Sequence, residues 1–147
     1  MILVAPLVAL LAAGAAWWLL PRRGSGWWLF VALALTIGAA VWVVAAPARE
    51  VAIGWGPVLS LSLDATGFGA TMLILIPAIA APVIGCAYVT EAATRRSLVP
   101  LLLVFVATME LLVLSRDLLV LLVAWELVGA MSWLLIGHRW RDPGPAA

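Results

Sequence analysis

The chain has no lysine, one cysteine and one histidine, and only 10% of its 147 residues are charged. Each scarcity closes off a class of function. A single cysteine, Cys86, forms no disulfide framework within the chain. An iron–sulfur cluster takes about four Cys ligands and a structural zinc site about four Cys or His ligands, so Cys86 and His138 build neither. All eight basic residues are arginine and the net charge is +1, which offers no broad basic surface to nucleic acid. Gly67-Phe68-Gly69 lacks the third glycine of a dinucleotide-binding fingerprint, and the sequence holds neither a phosphate-cradling loop nor a nucleophile–base–acid set. No cofactor and no metal are expected in this chain.

What is abundant is hydrocarbon. Hydrophobic residues fill 67% of the positions, and the mean hydropathy is +1.22. Average water-exposed domains are about half apolar and about a quarter charged. This chain has too few polar side chains to cover a water-facing surface, so its expected solvent is the lipid bilayer of a cell membrane. Charged residues divide it into five apolar runs, at residues 2–20, 26–46, 67–89, 97–115 and 117–137. At about 1.5 Å of rise per residue, ~20 residues cross a ~30 Å hydrocarbon core, and every run is long enough. The expectation is an all-α, multi-pass membrane protein: one transmembrane helical domain over residues 1–147 with about five spans and no internal repeat.

The arginines orient those spans. Small residues at 12–16 would suit signal-peptide cleavage, but no basic residue precedes the first run and Arg22 and Arg23 follow it, the wrong order for a secretory leader. With a retained first helix and the N-terminus outside, Arg22, Arg23, Arg95, Arg96, Arg139 and Arg141 fall on the inner side, against Arg49 and Arg116 on the outer. The C-terminus is then inside. Trp17, Trp18, Trp27, Trp28 and Trp140 collect near the inner interface, where an indole anchors a helix. The one long connection, residues 47–66, alternates from Val58 to Asp64 after Gly54, Gly56 and Pro57, and predicts a short hairpin on the outer face near 50–64. The tail, 141–147, reads as a turn-rich connection.

Few side chains in the spans carry chemistry. Glu126 is the most informative, roughly 14–15 Å from either end of the fifth run at the standard rise. A carboxylate at that depth costs ~2.5–3.5 kcal/mol on insertion scales, so such residues are enclosed, paired or protonated. A carboxyl group in that position suits a proton or ion relay; the competing reading is an interhelical hydrogen bond that only holds helices together. Gly129 and Ala130 lie one turn on, on the same face, and leave room for a neighbouring helix. Glu110 is a weaker pathway candidate, about five residues from the outer end of the fourth run and within reach of the interface; Thr108 beside it is expected to bond its own helix backbone. His138, at the inner end of the fifth run, is a weaker candidate for proton exchange. Arg116 and Asp117 read as a solvated outer turn, Asp64 as the cap of the third helix with Thr66 competing, Pro77 and Pro82 as tolerated kinks, and Cys86 as apolar core.

Residues 111–140 read LLVLSRDLLVLLVAWELVGAMSWLLIGHRW. This stretch resembles the signature of the antiporter-like subunits of respiratory complex I, in particular subunit L (mitochondrial subunit 5) of NADH-quinone oxidoreductase, and of the related Mrp antiporter large subunit. Trp125, Glu126, Gly129, Ser132 and residues 134–137 match that signature. Trp133 stands where tyrosine is usual, and Arg116 where the family often places a small residue. The resemblance covers residues 55–147, and the first two helices only in general character. It implies the N-terminal part of a larger proton-translocating module, in which Glu126 works with lysines on later helices. Those lysine-bearing helices are absent here, so the implied partners are other segments or other membrane subunits of a multi-subunit complex. A Mrp-type cation/proton antiporter subunit and a non-transporting membrane scaffold are the alternatives.

Overall fold

The computed structural model describes residues 4–19, 27–45, 50–55, 59–90 and 95–139. Five helices form: α1 (Ala5–Leu19), α2 (Trp27–Ala45), α3 (Gly67–Thr90), α4 (Arg95–Leu114) and α5 (Leu118–Ile136), followed by a 3-10 turn at Gly137–Arg139. Their limits fall within a few residues of the apolar runs, because each run ends where charged residues, Gly or Pro favour leaving the helix. Among the described residues, three helical segments are long and apolar enough to cross a membrane: Gly67–Thr90, Ser97–Leu114 and Leu118–Ile136. The side chains of Trp17, Trp18, Trp27, Trp28, Arg95, Arg96 and Arg139, and all of Trp140, Arg22, Arg23, Arg49 and the 141–147 tail, lie outside the described residues.

Between α2 and α3 the expected hairpin forms. Strand β1 (Glu50–Trp55) pairs antiparallel with β2 (Leu59–Asp64), from Glu50 opposite Asp64 to Trp55 opposite Leu59. Period-two alternation puts Val51 and Leu63 on one face, where both pack against the helical core. Glu50, Ser62 and Asp64 take the other face. A lone two-stranded hairpin is marginal in water, so its attachment to the helices matters.

The core belongs to α1–α4. Leu7, Leu10 and Ala13 of α1, Leu33, Ala40 and Val43 of α2, and Leu73 and Ile84 of α3 meet Val99, Leu103, Val106, Ala107 and Leu114 of α4. The α4 positions recur at helical spacing and make one continuous stripe. Helix α4 packs against α1, α3 and α5, and 44% of its spanning window is buried. Helix α5 is peripheral: only 11% of it is buried, through Val120 and Ala124, and it packs against α4 and touches β2. Cys86 is exposed on α3 and is not core; on a helix apolar on every side, composition does not tell inside from outside. Of the two prolines in α3, Pro77 is buried and Pro82 exposed.

The two glycines that open α3 have separate structural reasons. Gly67 sits at φ +49, a left-handed conformation costing other residues about 1–2 kcal/mol. Gly69 allows a close backbone approach: a Cβ there would lie 2.9 Å from the Asp64 carbonyl oxygen and 3.1 Å from that of Val113. Both obstacles are main chain and cannot rotate away. Gly69→Ala is therefore expected to destabilise the folded bundle by about 1–3 kcal/mol, read from unfolding in mixed micelles. Gly129→Ala, which meets no atom within 4 Å, is the neutral control.

Candidate functional site

Among the described residues, three places hold the candidate polar side chains. The first joins the hairpin to the α4–α5 turn. Asp117 caps α5, its Oδ1 accepting from the Val120 N–H at 2.8 Å. Its Oδ2 accepts from the Ser62 N–H at 2.6 Å and from Ser62 Oγ at 3.1 Å. The Arg116 N–H donates to the Ser62 carbonyl at 3.0 Å, Leu63 bridges Ser115, and the Arg116 guanidinium pairs with Glu50. That pair is solvent-exposed on both sides and contributes little by itself. The Glu50 carboxylate, through its hydrogen bond and its charge, raises the Arg116 pKa above the ordinary value. Asp64 lies in β2 and accepts from Thr66 Oγ1 at 2.8 Å. Among the described residues its side chain takes no bond from the α3 backbone, so the capping expected of it is not seen.

Hydrogen bonds from the Ser62 and Val120 backbone amides, in that order, lower the Asp117 pKa below the ordinary carboxylate value. A depressed folded pKa gives stability that is complete above the unfolded value of about 3.9 and is lost as pH falls through the lower folded one. The hairpin should therefore stay attached at neutral pH and loosen only in strong acid. Asp117→Asn keeps one acceptor oxygen and cannot hold both Ser62 and Val120. Faster hydrogen exchange at the Ser62 amide, with no further loosening below pH 4, is the expected result.

The second place is the spanning region, where the two intramembrane glutamates have opposite surroundings. Glu110 is fully buried, and both of its carboxyl oxygens are enclosed without a hydrogen-bond partner among the described residues. It does not snorkel to the interface, because it continues the α4 core stripe one turn beyond Val106 and Ala107. Thr108 is also buried and donates to the Phe105 carbonyl of its own helix at 2.8 Å, as expected.

Glu126 is exposed. Ala124, which faces α4, is fully buried. Two residues turn a helix by about 200°, so Glu126 points almost directly away from α4. Gly129 and Ala130 share its side, both exposed, and Gly129 has open space beyond it. Trp125 is exposed beside them. Glu110 and Glu126 therefore do not share one enclosed chamber. One carboxyl is inside the five-helix bundle, and the other is on its open flank.

The third place is the opposite end of α5. His138 Nδ1 donates to the Leu135 carbonyl at 2.7 Å, and its Nε2 is buried without a partner among the described residues. The ring borders a cavity of about 500 Å³ between the start of α4 and the end of α5. The sequence did not reveal this cavity, which depends on the packing of α5 against α4. Among the described residues no three His, Cys, Asp or Glu side chains come together as a metal site. Comparison with known proteins finds no family model and no curated protein that matches the chain.

Proposed function

We propose that this chain is a proton-translocating, antiporter-like membrane subunit of a complex I-type NADH-quinone oxidoreductase, the N-terminal part of a larger module. In this reading all five helices span the cell membrane, with the N-terminus and the hairpin outside and the C-terminus inside, as the arginine distribution favours. The observation that carries it is Glu126, a mid-span carboxyl on the outward face of the outermost helix, beside the open space at Gly129. Against lipid, that carboxyl would be badly solvated. A neighbouring helix bearing a cation would compensate it, and Gly129 and Ala130 let such a helix approach. The resemblance of residues 111–140 supplies the same partner, a lysine on a later helix. Proton movement then follows from Glu126 alternating between a paired, charged form and a protonated form as the lysine moves. Glu110 is the second, weaker acidic site of the path, inside the bundle, and His138, at the inner end of α5, is a weaker candidate for proton exchange.

The test is proton pumping by the assembled complex in vesicles carrying Glu126→Gln, with assembly intact. Unchanged pumping would sink the proposal. A Mrp-type antiporter subunit would use the same carboxyl and differ in its dependence on sodium. A non-transporting scaffold is favoured by one feature, the open α5 face, and would tolerate Glu126→Gln but not a bulky residue at Gly129.

A further inference from the structure

The structure points to a binding site for an anionic phospholipid, with the acyl chain in the cavity between α4 and α5 and the headgroup at the arginine-rich end; we propose this site independently of any transport role. The cavity is lined by Ser97, Leu101, Trp133, Leu134, Gly137 and His138. Its volume of about 500 Å³ lies in the ~300–1,000 Å³ range of ligand sites. Its polarity is graded. Leu101, Leu134 and Trp133 lie toward the spanning region, and Trp133 is exposed, a position that suits the ester level of a lipid. Ser97 and His138 lie at the helix ends, and the buried Nε2 of His138 has no partner among the described residues.

Charge selects the occupant. Arg95 and Arg96 directly precede Ser97 at the start of α4, and Arg139 directly follows His138. At the hairpin end Arg116 stands with three acids, Glu50, Asp64 and Asp117. An apolar cleft whose lining residues Ser97 and His138 are flanked in the chain by three arginines matches a lipid whose headgroup is an anionic phosphate, rather than a zwitterionic one whose own cation the arginines would repel. It matches a bare phosphate poorly, since a small ion would leave the Leu101 and Trp133 walls unused. One arginine near an anionic lipid headgroup strengthens binding by a factor of roughly five.

The experiment is native mass spectrometry of the full chain released from micelles containing equal phosphatidylglycerol and phosphatidylcholine. The wild type is expected to retain one phosphatidylglycerol with roughly tenfold preference. Arg95→Gln with Arg96→Gln should abolish the preference. Gly137→Leu should remove the retained lipid by filling the cleft without harming the fold, because a Cβ at Gly137 meets nothing within 4 Å. Trp133→Ala should weaken retention of both lipids, and unfolding curves for each variant would show that the bundle is intact. Equal retention of the two lipids overturns the proposal. So does retention unchanged by Gly137→Leu, which would mean a diffuse electrostatic halo and not a cleft. Retention of inorganic phosphate as readily as of phosphatidylglycerol would mean an anion site without a lipid.

Discussion

In vesicles containing the assembled complex, Glu126→Gln is expected to lower proton pumping by about tenfold or more while leaving the complex intact. Glutamine has nearly the same shape as glutamate and keeps a hydrogen-bonding end, but it neither charges nor carries an exchangeable acidic proton. A positioned proton-transfer group contributes ~10²–10⁴-fold to a rate, and parallel water-mediated leaks set the lower bound. The direction of the side chain sharpens the expectation. Glu126 faces away from Ala124 and α4, so no packing inside the five-helix bundle should change, and the unfolding of the isolated chain should be unaffected. Gly129→Leu is the matched control. It too should leave the isolated chain folded, because its surroundings are open, but it would block a helix seated against Glu126 and so prevent assembly. Lost pumping with normal assembly for the first variant, and lost assembly for the second, is the joint signature of a transporting module. Normal pumping with Glu126→Gln and lost assembly with Gly129→Leu would instead identify a scaffold.

That contrast rests on something the sequence did not contain. The five helical runs were legible because charge is expensive in hydrocarbon, so the few charged residues mark the ends. The hairpin was legible from the alternation of Leu and Ser before Asp64. The facing of α5 was not. A helix surrounded by lipid is apolar on the outside as well as the inside, and Leu118–Ile136 shows no polar stripe to mark one side. Only the seating of Val120 and Ala124 against α4 reveals where Glu126 points. On α4 the register was available in principle: Val99, Leu103, Val106, Leu114 and Glu110 fall on one stripe at helical spacing. Depth alone puts Glu110 within reach of the interface; the stripe puts it on the core face. The attachment of Ser62 to Asp117 spans 55 residues of sequence and has no local signal.

Glu110 supplies the other large expected effect, and it acts on stability in an unusual direction. Glu110→Met should make the isolated bundle more stable, by about 1–3 kcal/mol, in unfolding from mixed micelles. Most core substitutions destabilise by loss of packing, but this one replaces a buried carboxyl that has no hydrogen-bond partner among the described residues. An enclosed polar group without a partner costs about 1–3 kcal/mol even when neutral, and methionine is flexible enough to fill the same space between α4 and its neighbours. Under the proposed function, Glu110 is held at that cost because its acid belongs to the ion path. The same variant in the assembled complex should therefore gain stability and lose transport together, whereas Glu110→Asp, which keeps the acid, should retain a measurable part of the transport. If Glu110→Met were instead less stable than the wild type by more than about 1 kcal/mol, a hydrogen-bonding group would have to reach the carboxyl. Glu110 would then be a structural tie between helices, leaving Glu126 as the sole acidic element of the path.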